Sequence, residues 1–127
     1  MDADYAKNLD ESGNPVSQFE HSLFVYSTVM SINATEKSIV DAGLKTMTFE
    51  AGMPGVPDFE GIGYERPSDE HGKLNLSQTN HRFALGDKVR LVPPHCDPTV
   101  NLHEWYVGVR NGVVESLWPI VARGAVY

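Results

Sequence analysis

The dipeptide Asn111-Gly112 constrains the fold of this chain more than any other feature. Two runs rich in β-branched and aromatic residues flank it, at residues 105–110 and 113–118. Asn-Gly readily adopts the positive φ angles of a tight two-residue turn, and between two such runs it is the strongest short-range signal for a β-hairpin. The sequence therefore predicts an antiparallel hairpin near its C-terminal end.

Other short extended runs lie between turns rich in glycine and proline. Residues 19–33 are apolar on both faces and predict a long central strand, whereas residues 88–92 alternate apolar and polar as a half-buried strand does. Shorter strands are expected at residues 38–41, 45–49, 62–65 and 73–77. Residues 98–104 are expected to form one helical turn, with Pro98 at its start. Many short strands predict an all-β, mainly antiparallel barrel or sandwich with one or two short helical turns.

Length, charge and cysteine content narrow the class of protein. A chain of 127 residues fits a single domain, so we expect residues 1–127 to form one unit. The net charge of -7 argues against a nucleic-acid surface, because binding to phosphates needs clustered lysine and arginine. No apolar run is long enough to cross a membrane, and the opening residues do not resemble a secretory signal. The one cysteine fits a reducing compartment, so the cytoplasm is expected.

The prolyl segment 93–98 carries the most reactive set of side chains. His95 and Asp97 stand two positions apart, so on an extended segment both side chains would point to one side and could bind one ion. An imidazole nitrogen and a carboxylate oxygen suit manganese, magnesium, cobalt or zinc, in an open site completed by other ligands. The alternative is a surface turn in which Asp97 caps backbone N–H groups. Cys96 is either a ligand, a nucleophile or a small buried filler.

Five segments, in order, are typical of one known family: Met1-Asp2-Ala3-Asp4-Tyr5, Val40-Asp41-Ala42-Gly43-Leu44-Lys45, Ser68-Asp69-Glu70-His71-Gly72, Leu85-Gly86-Asp87-Lys88-Val89-Arg90 and Pro94-His95-Cys96-Asp97-Pro98-Thr99-Val100-Asn101-Leu102. Together they resemble the C-terminal domain of D-threonine aldolases, which belong with D-serine dehydratases and related D-3-hydroxy-amino-acid enzymes. That family resembles alanine racemase in fold, with an N-terminal barrel that carries pyridoxal phosphate (PLP) on a lysine and a C-terminal β domain. The resemblance implies the β domain only, without the barrel.

The resemblance also implies roles for individual residues. His95 and Asp97 match the family's two protein ligands for a divalent metal, with manganese the first expectation. In the aldolases the metal is thought to bind the substrate's β-hydroxyl and favour cleavage to glycine and an aldehyde, while PLP acts as the electron sink. None of the five lysines matches the PLP-binding residue, so the chain is expected to be inactive without a PLP-barrel partner.

Two further sets of residues remain open to more than one interpretation. Glu70 and His71 either face the substrate or support the metal site, or they belong to a charged turn. His103 either donates to Asp97 or is a surface histidine. Asp97 stands where the dehydratase branch has a cysteine, which favours an aldolase-like or hydroxyaspartate-dehydratase-like domain over a D-serine dehydratase-like one.

The resemblance leaves two alternatives to an enzyme domain. The chain could be a stand-alone, non-catalytic β module that binds a partner, or a structural domain in which His95 and Asp97 make only turn hydrogen bonds. A surface that normally faces the barrel would be apolar, and we therefore expect a homodimer. The aromatic residues Trp105, Tyr106 and Trp118 are expected to pack in the core or at such an interface.

Overall fold

Antiparallel β-strands make up nearly all of the regular structure in the computed structural model, which describes residues 2–16, 19–33 and 36–125. The strands are β1 (Val25–Ile32), β2 (Lys37–Val40), β3 (Gly63–Pro67), β4 (Gly72–Asn75), β5 (Lys88–Leu91), β6 (Trp105–Arg110) and β7 (Val113–Pro119). The helical parts are a single 3-10 turn, Tyr5–Lys7, and one short helix, α1 (Cys96–Val100). The predicted all-β, mainly antiparallel architecture with short helical turns is confirmed.

Five strands form one curled sheet that makes half a barrel, in the order β3-β4-β2-β1-β5. Each neighbouring pair is antiparallel. The register shifts between Val29 and Ser31 in β1 and between Tyr64 and Arg66 in β3. Irregularities of this kind increase local twist, and they help the sheet to curl around its core.

The inner face of the curled sheet holds the hydrophobic core. In β5, Val89 and Leu91 are fully buried while Lys88 and Arg90 are exposed, which is the alternation that the sequence predicts. The core also receives side chains from the other strands and from the connections between them: Val25, Val29, Val40, Met47, Tyr64, Leu74, Leu76 and Phe83. Each fully buried aliphatic side chain contributes about 1.5–3 kcal/mol relative to an exposed one.

Strand β1 is shorter and less buried than the sequence suggests. It begins at Val25, so residues 19–24 are irregular rather than extended. Its outer face is exposed, with Tyr26 at 70% and Met30 at 54% of full exposure. The prediction of burial on both faces is wrong within this chain, because a single-layer sheet buries only alternate residues of a strand.

Asp41 follows β2 and ties it to β1. Its carboxylate accepts hydrogen bonds from the Ser27 hydroxyl and from the Thr28 N–H, each at 2.7 Å. Burial alone would raise the pKa of Asp41, but these hydrogen bonds outweigh burial and lower the pKa below its usual value. The charged form is therefore the one that holds the two strands together.

Residues 45–49 are not a strand, contrary to prediction. The N–H groups of Thr46 and Met47 both donate to the carbonyl of Gly43, at 3.0 and 3.2 Å, which forms a turn. Met47 inserts its side chain fully into the core. A short run next to a turn does not form a strand when no neighbouring strand is available to pair with it.

The predicted hairpin is confirmed. Asn111 (φ 51°) and Gly112 (φ 77°) form its turn, and the paired positive φ angles match the geometry that favours right-handed strand twist. Among the described elements, neither β6 nor β7 lies beside a strand of the five-stranded sheet. Trp105 and Trp118 are more than half exposed, so they do not belong to the core.

None of the helices among the described residues has the length and apolar character needed to span a membrane.

Candidate metal site

The beginning of the chain lies against the prolyl segment. The N–H of Ala3 donates to the carbonyl of Pro93 at 3.1 Å, and the N–H of Asp4 donates to the carbonyl of Pro94 at 2.9 Å. Proline has no N–H of its own, but its carbonyl still accepts. The first and the last of the five family-like segments therefore meet immediately before His95.

Asp2 fixes the start of helix α1. Its side chain is buried, and the carboxylate accepts from the N–H of Cys96 at 2.6 Å and from the N–H of Tyr5 at 2.9 Å. Burial alone would raise the pKa of Asp2, but the hydrogen bonds from Tyr5 and Cys96 outweigh it and lower the pKa. Asp2 is thus an ionised cap on a helix that lies far away in sequence.

This cap explains why the helix begins earlier than predicted. The sequence places the helical turn at residues 98–104, with Pro98 first, whereas α1 runs from Cys96 to Val100. Pro98 occupies the third helical position, where the N–H would have no partner within the helix. The side chain of His95, the residue before the helix, makes no capping hydrogen bond, so the side-chain cap comes from Asp2.

His95 and Asp97 face each other, although not for the predicted reason. His95 has extended backbone angles (φ -141°, ψ 126°), but Asp97 lies inside the first turn of α1, so the segment is not extended throughout. Nevertheless, His95 Nε2 and Asp97 Oδ2 are 3.9 Å apart. The Asp97 side chain is 79% exposed and that of His95 is 32% exposed, so the pair opens to the surface.

Glu50 contacts the other nitrogen of the same imidazole. Glu50 Oε1 lies 2.8 Å from His95 Nδ1. The hydrogen bond from Glu50 raises the pKa of His95, and the charges of Glu50, Asp97 and Asp2 act in the same direction. The pKa of Glu50 is lowered, chiefly by a hydrogen bond from its own backbone N–H, with contributions from Thr48 and His95. The sequence-based reasoning did not identify Glu50 as a member of this site.

The segment that carries Glu50 runs alongside α1 and the residues that flank it. His103 Nε2–H donates to the carbonyl of Thr46 at 2.7 Å. The N–H of Thr48 donates to Thr99 Oγ1 at 3.3 Å, and Thr99 Oγ1–H donates to the carbonyl of His95 at 2.7 Å. Thr46, Thr48 and Glu50 thus meet residues 103, 99 and 95, respectively. His103 therefore binds this segment and not Asp97. Neither of the two interpretations drawn from the sequence anticipated this contact.

Cys96 keeps its proton. Its Sγ donates to Asp97 Oδ1 at 3.1 Å. Burial, together with hydrogen bonds to Asp97 and Asp2, raises the pKa of Cys96 to about 12. Because thiolate is the form that binds metals and attacks electrophiles, the neutral thiol is poorly suited to either role. The thiol is hydrogen-bonded to Oδ1 of Asp97, and Oδ2 of Asp97 remains facing His95.

The donor atoms at this corner fit a hard or borderline divalent cation. Ligand distances of about 2.1 Å place adjacent ligand atoms about 3.0–3.5 Å apart, so a small rotation of the exposed Asp97 side chain would bring Oδ2 into range. Among the described residues, no group of three or more histidine, cysteine, aspartate or glutamate side chains is arranged to hold an ion. An ion bound by His95 and Asp97 would take its other ligands from water, substrate or another domain.

Glu70 and His71 lie at the turn between β3 and β4. Glu70 pairs with Lys45 Nζ at 2.8 Å, and this hydrogen bond is the main reason that the pKa of Glu70 is lowered. The turn packs on Gly43, because the N–H groups of Leu44 and Lys45 donate to the carbonyls of Ser68 and Asp69, both at 2.9 Å. An open depression is lined by Lys45 and by residues 68–71.

Comparison with known proteins places the chain and its fold in a family. Residues 22–109 match the family model described as "Putative serine dehydratase domain". The chain is 48% identical over 98% of its length to D-threonine aldolase of an Arthrobacter species, and 45% identical over its whole length to 3-hydroxy-D-aspartate aldolase of Paracoccus denitrificans. The crystal structure of D-threonine aldolase from Filomicrobium marinum matches the whole chain with a TM-score of 0.91 at 46% identity.

The chain covers only a part of these relatives. It spans 32% and 33% of the two aldolase sequences and 34% of the crystallised chain. The matching part is their C-terminal domain. This chain belongs to the serine dehydratase domain family, and it is similar over its whole length to the C-terminal third of D-threonine aldolases.

Proposed function

We propose that this chain is the metal-binding C-terminal β domain of a PLP-dependent, D-threonine aldolase-like enzyme, which cleaves a D-3-hydroxy-amino acid to glycine and an aldehyde. The observation that supports this most is the His95–Asp97 pair, in which an imidazole nitrogen faces a carboxylate oxygen at 3.9 Å. The similarity to two aldolases along essentially the whole chain supports the same chemistry. A D-hydroxyaspartate or D-serine dehydratase-like domain is the nearest variant of this proposal.

His95 and Asp97 would hold a divalent ion, manganese in preference to magnesium, cobalt or zinc. Once bound, the ion supplies Lewis acidity to a substrate hydroxyl. His95 presents Nε2, and Asp97 adds a hard oxygen and a negative charge. Asp2 holds the start of α1, so the two ligands keep their relative positions. The neutral Cys96 does not compete for the ion.

The cofactor would come from a separate PLP-barrel domain, because the chain corresponds to only a third of its relatives. Lys45, the lysine in the Val40–Lys45 segment that the resemblance singled out, is paired with Glu70 at 2.8 Å. In this proposal Glu70 and His71 stand on the side of the domain that faces the substrate. The 127-residue chain would catalyse nothing alone, and a cytoplasmic location fits its single cysteine.

The hairpin offers a surface for a partner. Residues that pair across β6 and β7 share a face. On one face all the paired residues are uncharged, and we call this set the hairpin face: Trp105, Val107, Val109, Val114, Leu117 and Pro119. The five of these other than Pro119 are 54–61% exposed. An isolated two-stranded hairpin is marginally stable in water, and a contiguous apolar patch favours association. We propose that a second copy of the chain covers the hairpin face in a homodimer.

Sedimentation velocity on matched variants tests the homodimer. Leu117→Glu places a charge on the hairpin face, whereas Val113→Glu places the same charge on the opposite face, beside Arg110. The wild type and Val113→Glu should sediment as dimers, and Leu117→Glu should sediment as a monomer. A monomeric wild type at high protein concentration would contradict this part of the proposal.

Reconstitution tests the enzymatic part. The chain would be mixed with the barrel domain of an aldolase relative, PLP and manganese, and glycine released from D-threonine would be measured. Activity should appear with the wild type and with Glu60→Ala, an exposed carboxylate on another loop, and should disappear with His95→Ala or Asp97→Ala. A mixture without activity would instead favour the stand-alone binding module, for which the exposed hairpin face is the main support.

A further inference from the structure

Glu50 contacts the imidazole of His95 on the nitrogen that does not face Asp97. Nδ1 lies 2.8 Å from Glu50 Oε1, whereas Nε2 is the nitrogen that lies 3.9 Å from Asp97 Oδ2. The two carboxylates thus approach opposite nitrogens of one ring. Of these two carboxylates, Asp97 is the one near the nitrogen that would bind a cation.

The chemistry of this contact determines which nitrogen carries the proton. An ionised carboxylate only accepts hydrogen bonds, so the hydrogen at Nδ1 must donate to Glu50. A neutral imidazole has one N–H, and Nε2 is then left with its lone pair. The opposite tautomer would place the Nδ1 lone pair against a carboxylate oxygen at 2.8 Å, which is repulsive.

The backbone around Glu50 fixes its position, although the Glu50 side chain itself is about half exposed. Two residues earlier, the N–H of Thr48 binds Thr99 Oγ1, and this hydroxyl in turn donates to the carbonyl of His95. On the other side, Lys7 Nζ donates to the carbonyl of Ala51 at 2.9 Å. Contacts of Thr48 and Ala51, on either side of Glu50 in the chain, therefore hold Glu50 beside His95.

We propose that Glu50 is a positioning residue for the metal site. Its carboxylate selects the Nδ1-protonated tautomer of His95 and fixes the ring, so that the Nε2 lone pair points to a divalent cation beside Asp97. A carboxylate that accepts from the non-ligating nitrogen is a general means of orienting a metal-binding histidine. This inference rests on the proposed metal-binding function, but the tautomer is measurable without any metal.

The first measurement is long-range ¹H–¹⁵N NMR on the full 127-residue chain, with ¹⁵N-labelled histidine and without metal, at a pH where His95 is neutral. In the wild type, Nδ1 should carry the proton. Glu50→Ala should shift His95 toward the Nε2-protonated form. Glu50→Gln should give a smaller shift, because the amide oxygen still accepts. Glu115→Gln is the matched control, since it weakens a comparable charged hydrogen bond, to Arg110, in the hairpin.

The second measurement is calorimetric titration of the same variants with manganese. Glu50→Ala should weaken binding about 10- to 100-fold, the range found for such orienting partners, and Glu115→Gln should leave binding unchanged. If Glu50→Ala does not fold, the manganese affinity of Glu50→Gln is compared with that of the wild type instead.

The outcomes separate this inference from the function on which it rests. An Nε2-protonated His95 in the wild type, or a tautomer and an affinity that are unchanged in both Glu50 variants, would overturn the role of Glu50. A wild-type chain that binds no manganese would overturn the proposed function, and the NMR comparison would still decide whether Glu50 sets the tautomer.

Discussion

Removing the Asp2 carboxylate should destabilise the corner that carries the candidate metal ligands. Asp2 is 1% exposed and accepts two backbone hydrogen bonds, from Cys96 at 2.6 Å and from Tyr5 at 2.9 Å. In Asp2→Ala both N–H groups lose their acceptor in a place that water does not readily reach. The helix also loses a negative charge at its positive end.

The magnitude follows from these two contacts. Loss of a helix cap costs about 0.5–2 kcal/mol, and leaving a buried donor unsatisfied costs about 1–3 kcal/mol. The N–H at the start of α1 is counted in both effects, so the two ranges do not simply add. We expect the free energy of unfolding to fall by about 2–4 kcal/mol in total. Asp4→Ala is the matched control, because it keeps the backbone contacts of Asp4 and removes a side chain in an exposed ion pair with Lys7 at 3.2 Å, worth about 0–1 kcal/mol.

Urea unfolding of the two variants, followed by circular dichroism, measures the difference. Asp2→Ala should lose at least about 1 kcal/mol more than Asp4→Ala, with Asp2→Asn between them because its amide oxygen can still accept. Equal stability of Asp2→Ala and Asp4→Ala would refute the assignment of Asp2 as the cap of α1.

Three further predictions concern the scaffold around the site. Because the folded pKa of Asp41 is lowered, its stabilising effect is complete above its unfolded pKa of about 3.9 and is lost as the pH falls through the folded value. Asp41→Asn should therefore be clearly less stable than wild type near pH 7, and the difference should be smaller near pH 3; an equal difference in urea unfolding at the two pH values would count against this. Gly43→Ala would place a Cβ 2.3 Å from the carbonyl oxygen of Ser68 and should cost about 1–3 kcal/mol on thermal unfolding, whereas Gly63→Ala, with no atom within 4 Å, should change little. The buried Tyr64 hydroxyl donates to the carbonyl of Ala42 at 2.7 Å, and burial raises the pKa of Tyr64 to about 12, so Tyr64→Phe should cost about 1–3 kcal/mol on thermal unfolding.

Local patterns specified those parts of the fold that depend on neighbouring residues. The hairpin forms around Asn111-Gly112 because the turn geometry requires two positive φ angles, and β5 forms where apolar and polar residues alternate. The strand expected at residues 45–49 does not form. Those residues turn back on Gly43 and then run beside α1, and this arrangement depends on a partner about fifty residues away.

In the candidate site, too, neighbouring residues were predictable from a local pattern and long-range contacts were not. The His-x-Asp pattern identifies His95 and Asp97, because both lie within three residues. Asp2 and Glu50 contribute to the same corner from 94 and 45 residues away, through contacts at 2.6 and 2.8 Å. A single sequence carries no signal that joins a carboxylate to a partner at such a distance. The burial of Asp2 also had no local indication, because the opening residues are polar and lack a strand or helix pattern.

Cys96 illustrates how the fold determines the chemistry of a residue. From the sequence, its thiol could be a ligand, a nucleophile or a small buried filler. In the structure it is half-buried beside two carboxylates, which disfavour a further negative charge, and it donates to Asp97. The residue therefore shapes the orientation of Asp97 and does not supply a reactive group.

The central claim is that His95 and Asp97 bind a divalent cation, and calorimetric titration with manganese tests it most directly. The wild-type chain should bind one ion, whereas His95→Ala and Asp97→Asn, each shown by circular dichroism to remain folded, should bind far more weakly or not at all. Wild-type and variant titrations that cannot be distinguished would contradict the claim. They would favour the alternative in which His95 and Asp97 belong to a surface turn that binds no metal.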